Sequence, residues 1–447
     1  MAFGVFAPYF CRNQAMTTLQ AINGFKDILP DQIHLWQRLE SCAAGICRRF
    51  GLREIRTPIL EKTELFVRSI GEATDVVEKE MYTFADKGLT MRPEATASIM
   101  RAFIEHGMHV QQPVQRFYTM GPMFRHERPQ KGRLRQFHQF DAEIIGPVEP
   151  EQDAELIAMG HMLFHELGVD VSLELNSMGC PRCRPAFRQM LIERLAGVQD
   201  QLCEDCRRRL HTNPLRVLDC KKPGCRALVA DAPSIQDALC DECRAHFAAV
   251  RETLEMLGIP YNLNRFMVRG LDYYTRTTFE FVTDRLGAQS AVGGGGRYDG
   301  LIAELGGPKV AGIGFAIGME RLILLMEQNE QAAGSGDTDL YLAALGPEAL
   351  RHCTLLAQLL RQKGLHVAID YSGRSLKGQM KIADRLQARY TLIVGGQEWE
   401  RKEAILRDMR TQEQRTFSLS EHPEIQSNQL AGLLADQIGR ASCRERV

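Results

Sequence analysis

Two sets of residues have the types and spacing for chemistry. The first is a basic run, FRHERPQKGRLRQFHQ at 124–139, in which five of the eleven positions from Arg125 to Arg135 are Lys or Arg. Guanidinium groups hold phosphate oxygens in pairs, and the carboxylate of Glu127 among them could orient an arginine or accept from an amine. A solvated basic loop is the other reading of such a run. The second set is eight cysteines in four close pairs, Cys180/Cys183, Cys203/Cys206, Cys220/Cys225 and Cys240/Cys243. Three pairs are C-x2-C and one is C-x4-C, with gaps of 19, 13 and 14 residues. Eight thiolates could ligate two tetrahedral Zn2+ ions. The alternative is a set of reduced thiols without metal. A four-glycine run, Gly293–Gly296, lacks the Lys-Ser/Thr that follows in a phosphate loop. It reads instead as backbone that a substrate can approach closely.

The elements that must position these groups follow from periodicity. Apolar residues recur at helical spacing from Asp31 to Arg49, with Asp31 as N-cap and Gly51 as the stop. REIRTPILEKTELF reads as a strand that Pro58 places at an edge, and Pro93-Glu94 opens a helix through Phe103. VQRFYTMGPMFRHE and RQFHQFDAEIIG alternate as strands and pair as an antiparallel hairpin across the RPQKGR loop, which contains Gly132. That puts Arg125 and Glu127 on one face of the first strand's end. A helix is predicted over 151–168, strand-like sequence at 266–283, and helix-prone sequence in VAGIGFAIGMERLILLMEQ. From Asp339, apolar runs (LYLAAL, HVAID, TLIVG) alternate with helices at 347–363 and 375–389, a β-α-β-α-β pattern with a largely parallel sheet.

Length and charge narrow the class. A chain of 447 residues suggests two to four domains. Apolar residues at 44% and charged residues at 25% are ordinary for a folded globular chain and exclude collagen-like or wholly disordered ones. The net charge of -1 excludes polyanion binding by bulk charge, so any nucleic-acid contact must use local basic patches. No run of 18 apolar residues occurs, so no membrane span is expected. Residues 1–15 lack the pattern of a signal peptide, and a cytoplasmic location is expected. Thirteen cysteines without a secretion signal argue against a disulfide framework.

The basic hairpin resembles motif 2 of the class II aminoacyl-tRNA synthetases, in the form found in bacterial-type histidyl-tRNA synthetases. FGLREIRTPILE (50–61) is similar to motif 1, and GIGFAIGMERL (312–322) to motif 3. VRGLDYYTRTTFEF (268–281) and GGGGRYDGL (293–301) resemble the two histidine-specific motifs, in the family's order. The resemblance implies an α+β catalytic domain, with an antiparallel sheet flanked by helices, followed by a C-terminal α/β anticodon-binding domain. The expected division is a 1–18 extension, catalytic segments at 19–175 and 251–328 around a Cys-rich insertion at 176–250, a 329–338 linker, an anticodon-binding domain at 339–425 and a 426–447 tail.

What this family does is make a histidyl adenylate from histidine and ATP, then transfer histidine to the 3′ end of its tRNA, with Mg2+ on the outer phosphates. By the match, Arg125 serves the α-phosphate, Arg321 the γ-phosphate, and Arg269 sits near the α-phosphate in place of part of a metal ion's work. Glu127, Arg133 and Phe137 surround the adenine and phosphates. Glu94 and Thr96 hold the substrate amino group, Gln139 faces its carboxylate, and Glu143 and Tyr274 read the ring, with Tyr273 and Tyr298 nearby. Ala95 departs from the usual glycine. Taken outside the resemblance, Arg269 reads as a structural salt bridge near Asp272. Motif 1 implies a homodimer, and Arg128 and Gln130 of the motif 2 loop face the tRNA acceptor end. Lys377, Lys381, Arg385 and Arg389 recur every four residues, and Arg374 extends the stripe. That is a solvated face by itself, and an anticodon-binding face by the resemblance. Two rivals carry other functions. One is a non-catalytic histidine-sensing regulatory paralogue of ATP phosphoribosyltransferase; such proteins generally lack the anticodon domain. The other is a zinc-stabilised RNA-binding module.

Overall fold

A computed structural model describes residues 19–71, 74, 76–287, 290–329, 338–420 and 422–438. The expected N-terminal extension, nearly all of the expected linker and the end of the tail lie outside the described residues. The chain divides into two compact units, Met1–Gln331 and Ala332–Val447.

The first unit is built on eight strands: β1 (Arg53–Glu54), β2 (Gln115–Phe124), β3 (Gln136–Gly146), β4 (Ser172–Ser177), β5 (Asn262–Leu263), β6 (Thr275–Val282), β7 (Ala291–Arg297) and β8 (Ala311–Gly318). Their order is β1-β2-β3-β8-β7-β6-β4-β5. The six central strands pair antiparallel, and only the two-residue edge strands pair parallel. The sheet faces differ because alternate side chains point to opposite sides. On β3, Phe140, Ala142 and Ile144 enter the main core, whereas Phe137, Gln139 and Asp141 line a cavity on the other face. On β8, Ile313, Phe315 and Ile317 go to the core and Gly314, Ala316 and Gly318 to the cavity.

Helices α1 (Pro30–Arg49), α2 (Thr96–Glu105), α3 (Pro150–Glu166), α4 (Asp241–Met256) and α5 (Met319–Asn329) flank the sheet. Helix α1 starts with Pro30 in its first turn, not with Asp31 as N-cap. Asp31 instead lies in the first turn and Arg48 and Arg49 in the last, each complementing the helix dipole. Leu35, Trp36, Leu39, Ala43 and Ile46 form its buried stripe against α3 and α5. Phe164 and Phe281 meet in this core with ring centroids 4.9 Å apart, and losing either ring would cost ~3–5 kcal/mol. Beneath β7, Arg297 is wholly buried against Asp153, donating from Nε at 3.1 Å.

Several expectations are corrected. REIRTPILEKTELF is not one strand: it gives β1, a strand at Leu60–Lys62 and a helix at Thr63–Ile70. Pro58 cannot donate to a ladder, and TELFVRSI buries Leu65, Phe66, Ser69 and Ile70 on one helical side. The 266–283 stretch is strand only from Thr275. The helix-prone run at 310–328 begins as β8, because its glycines and alanine alternate with Ile313, Phe315 and Ile317 at a period of two. The glycine run is itself a strand, β7.

The second unit has strands β9 (Leu340–Leu345), β10 (Val367–Ile369), β11 (Tyr390–Gly395), β12 (Glu403–Asp408) and β13 (Gln414–Ser418), ordered β10-β9-β11-β12-β13. The first three are parallel, and β12 and β13 add antiparallel. Strand β9 is buried on both faces, as a central parallel strand must be. Trp399 packs edge-on against His352, with centroids 5.3 Å apart. The basic helix runs over Leu376–Arg385 and ends there, with Gln387 in the left-handed region at φ 50. Arg389 therefore falls outside the stripe, while Arg374, Lys377, Lys381 and Arg385 are exposed.

Candidate active site

The hairpin of β2 and β3 closes through a tight turn in which Gln130 and Arg133 exchange backbone hydrogen bonds of 3.1 and 2.9 Å around Gly132, whose φ is 73. That turn folds the basic loop back over the sheet. Arg125, Glu127, Arg133, Phe137 and Gln139 line a cavity of about 290 Å³ together with Glu94, Thr96, Arg269, Tyr273, Tyr274, Tyr298 and Arg321. Three arginines far apart in sequence, Arg125, Arg269 and Arg321, thus reach one cleft. Glu143 does not line it. Its carboxylate lies just behind the wall, accepting from Thr96 Oγ1 at 2.5 Å and from the Tyr298 hydroxyl. Arg128 and Gln130 are exposed on the loop.

The cavity has a cationic end and a carboxyl end. At the cationic end Arg125 donates from Nε to the Pro93 carbonyl at 2.9 Å, and its guanidinium lies 5.4 Å from the centre of the Phe137 ring. Arg133 pairs with Glu127 at 2.5 Å. Arg269 pairs with Glu280 at 2.5 Å, not with Asp272, and stacks over Tyr274 at 5.3 Å. Its Nε is buried without a hydrogen-bond partner. Burial, and then the charge of Arg133, bring the Arg321 guanidinium down to about 10, despite Glu127 and Glu280. Four guanidiniums share two carboxylates here, so an anion with several oxygens would relieve the imbalance.

At the other end Glu94 caps α2, accepting from the backbone N–H of Thr96 at 3.0 Å and of Ala97 at 2.8 Å. Tyr273 donates to Glu94 at 3.5 Å. Burial pushes the Glu143 carboxyl up to about 8, against the hydrogen bonds of Thr96 and Tyr298 and with help from Glu94. Burial raises Asp141 well above the carboxylate range, with Glu143 and Glu94 adding to it. Gln139 Oε1 and Asp141 Oδ2 are buried and unpartnered. Carboxyls held against their charge beside unpaired acceptors suit a ligand that brings N–H donors and positive charge.

The glycines of β7 serve the protein's own side chains. A Cβ at Gly294 would stand 2.7 Å from Arg269 Nη1, and one at Gly296 would stand 2.9 Å from the Tyr274 ring. Arg269 and Tyr274 make this close approach, and Gly293 and Gly294 also line the cavity, where a substrate approach is expected. Sequence reading missed three further residues. Glu280 faces the cavity at an alternate position of β6, where a carboxylate among apolar neighbours was the available signal. Asp141 follows the same period as Gln139. Glu320, one residue before Arg321, accepts from the His138 backbone N–H at 2.9 Å and from its ring, tying α5 to β3. His138 in turn meets Trp36 edge-on, with centroids 5.1 Å apart.

The cysteine pairs nest. Cys180, Cys183, Cys240 and Cys243 form one cluster, and Cys203, Cys206, Cys220 and Cys225 another, each with all sulfurs within 4.8 Å of one another. Tetrahedral Zn–S bonds of about 2.3 Å give sulfur–sulfur edges of about 3.8 Å. The separations Cys180–Cys183, Cys180–Cys240 and Cys203–Cys220 are 3.6, 3.9 and 4.0 Å. Burial would raise the Cys180 thiol, but backbone N–H groups of Cys183 and Arg182 and the neighbouring thiols bring it down to about 6. The backbone of Cys240 donates to Cys183 Sγ, and that of Cys203 to Cys225 Sγ, each at 3.2 Å. Both clusters fit a metal ion.

A largely antiparallel sheet carrying this hairpin and arginine-lined cleft, with a separate anticodon-type unit, defines a class II aminoacyl-tRNA synthetase. The histidyl-tRNA synthetase family model matches residues 24–184 and 193–322, and an anticodon binding domain model matches 339–428. The chain belongs to the histidyl-tRNA synthetase family. It is 60% identical over 397 residues to a histidine–tRNA ligase of Desulfotalea psychrophila, covering 89% of this chain and 92% of that one. To the histidine–tRNA ligase of Geobacter sulfurreducens it is 54% identical, over 88% of this chain and 95% of that one. The crystal structure of apo S. aureus histidyl-tRNA synthetase superposes with a TM-score of 0.75 at 38% identity, covering 90% of this chain and 97% of that one. The activity is therefore histidine–tRNA ligation, and the regulatory reading is set aside. ATP and Mg2+ are general requirements of the family. Among the described residues no helix is long and apolar enough to cross a membrane.

Proposed function

We propose that the cavity binds histidine at its carboxyl end and MgATP at its cationic end, and joins them in line. A histidine carboxylate oxygen attacks the α-phosphorus; the bond from that phosphorus to the bridging oxygen breaks, and pyrophosphate leaves. Charge gathers on phosphoryl oxygens, so the chain's task is positioning and cationic stabilisation. Arg125 and Arg269 hold the α-phosphate and Arg321 the γ-phosphate. Phe137 stacks on the adenine, with Glu127 and Arg133 around it. Glu94 and Thr96 receive the amino group, Gln139 faces the carboxylate, and Glu143, Tyr273, Tyr274 and Tyr298 read the imidazole. A site that hydrogen-bonds the ring rejects analogues lacking its nitrogens, because its own polar groups would be left unpaired. Glu127 and Glu280 would offer oxygen donors to a Mg2+ bound with the nucleotide, which would supply positive charge beside the phosphates. In the second step a hydroxyl of the tRNA's 3′-terminal ribose attacks the acyl carbon and AMP leaves.

The observation that supports these roles is the convergence of Arg125, Arg269 and Arg321 beside Glu94, Thr96 and the three tyrosines. Histidine-dependent ATP–pyrophosphate exchange tests it: alanine at any of the three arginines should depress exchange, and retained exchange in all three would overturn it. For tRNA, we assign Arg128 and Gln130 to the acceptor end and Arg374, Lys377, Lys381 and Arg385 to the anticodon arm. Motif 1, with edge strand β1 and the exposed Ile59 and Leu60, is assigned to a homodimer interface, which light scattering checks. A role in translation places the protein in the cytoplasm. Each cysteine cluster is assigned one structural Zn2+, whose chemistry there is to fix four thiolates at tetrahedral geometry. Less than a tenth of an equivalent of zinc in protein purified without chelator would end that assignment.

A further inference from the structure

The segment 264–274, which carries Arg269, belongs to no strand. Its backbone carbonyls need partners from elsewhere. Those around Arg269 find them in the cysteine-rich insertion. Arg216 donates from Nη1 to the Arg269 carbonyl at 3.1 Å and from Nη2 to the Gly270 carbonyl at 3.0 Å. Arg184 donates to the Asp272 carbonyl at 3.3 Å, and Asn213 Nδ2 to Asp272 Oδ1 at 3.2 Å. Leu215 of the same insertion packs into the cluster that contains Tyr273, Tyr274 and Tyr298.

The cysteine clusters bracket these three polar side chains along the chain. The inner cluster closes the loop from Cys206 to Cys220, and Asn213 and Arg216 lie within that loop. The outer cluster joins the points where the insertion leaves β4 and returns through α4, with Arg184 next to Cys183. That root is fastened to the start of β6 by Arg276. Arg276 sits in the left-handed region at φ 49, donates its backbone N–H to Gly179 at 2.8 Å and pairs with Glu242 at 2.5 Å. A non-glycine residue in that conformation persists only where its surroundings over-determine it.

We infer that Arg184, Asn213 and Arg216 are positioning residues for amino-acid activation, and that the two thiolate clusters, once they hold metal, aim them at the loop bearing Arg269. The insertion then acts on the first chemical step, before any tRNA is present. The inference rests on the role proposed above for Arg269. It specifies that Arg216 works through Arg269, by holding the two carbonyls at and after it. Misplacing a charge stabiliser by about an ångström costs on the order of a hundredfold.

The experiment is a double-mutant cycle on pyrophosphate exchange without tRNA, using Arg216→Ala and Arg269→Ala singly and together. Arg216→Ala should lower kcat by about tenfold to a hundredfold, Arg216→Lys should recover part of the loss, and Arg216→Ala should cost nothing further when Arg269 is already alanine. Equal losses in both backgrounds would mean a general structural role and would overturn the inference. So would wild-type exchange by Arg216→Ala beside a defective Arg269→Ala. Near-normal exchange by Arg269→Ala would instead refute the underlying role of that arginine. A Cys203→Ser/Cys220→Ser variant supplies the metal readout. It should retain one fewer equivalent of zinc and lose the thiolate-to-metal absorption of that site after Co2+ loading, together with the same fall in kcat. Lost metal with unchanged kcat would detach the clusters from the loop and overturn that part.

Discussion

Replacing Glu143 by Gln tests the carboxyl end of the cleft most directly. This carboxyl is raised from 4.5 to about 8, mainly by burial. Ionising it there costs on the order of 5 kcal/mol more than in water, at ~1.4 kcal/mol per factor of ten. Thr96 and Tyr298 already donate to it. A substrate N–H reaching this group would be a third donor, which the carboxylate accepts far more strongly than the neutral acid. Below pH 8 the ionised fraction falls about tenfold per pH unit, to roughly a tenth at pH 7 and a hundredth at pH 6. The kcat/KM for histidine in pyrophosphate exchange should therefore rise with pH and level off above about 8. Substrate ionisations are shared by both proteins, so the ratio of wild type to Glu143→Gln isolates the group. That ratio should climb about tenfold from pH 6 to pH 7. The sign for stability is opposite to that of a salt-bridged carboxylate. A folded value above the unfolded one favours the fold below about 4.5, and that contribution is lost as pH rises through 8. The variant should thus gain Tm relative to wild type at pH 9 compared with pH 5. A flat activity ratio between pH 6 and 9 would refute the argument.

Three other outcomes are expected. Arg269→Ala should slow adenylate formation by about 10²-fold or more, the order lost with a charge stabiliser; a near-normal burst of adenylate in rapid quench would count against it. A chain ending near Gln331 should still exchange pyrophosphate but charge tRNA poorly, and full charging would remove the second unit from tRNA recognition. Asp153→Ala takes from buried Arg297 its wholly buried carboxylate and leaves it only the partly exposed Asp299, while His246 beside it is held neutral, its value lowered to about 4 by burial and nearby arginines. Thermal unfolding should show a loss of ~3–5 kcal/mol, and a Tm within a degree of wild type would contradict the burial argument.

The hairpin, the arginines and the C-terminal alternation were legible because each is a local pattern, either a period of two, a helical stripe or a short motif. What was not legible depends on pairings across the chain. Four cysteine pairs at similar spacing can combine in several ways, and only the fold nests the outer two around the inner two. The partner of Arg269 was sought three residues away, at Asp272, but the loop turns that carboxylate towards Asn213 and leaves Glu280 on the neighbouring strand to pair with it. Glycine-rich β7 reads without a named element and β8 as helix-prone because small residues carry little strand propensity. Their strand geometry comes from ladder partners on both sides. Arg216 gave no signal at all, since its role is to satisfy two backbone carbonyls fifty residues downstream.

The chain has two tryptophans, and they fall one in each unit. Trp36 lies edge-on to His138 behind the cleft, and Trp399 lies against His352 in the C-terminal unit. Each indole has an imidazole neighbour set at a steep angle to its ring, so emission is sensitive to movement at that contact. Single Trp→Phe replacements would therefore give two native fluorophores, one reporting ligand occupancy and melting of the catalytic half, the other those of the anticodon half, with no dye attached.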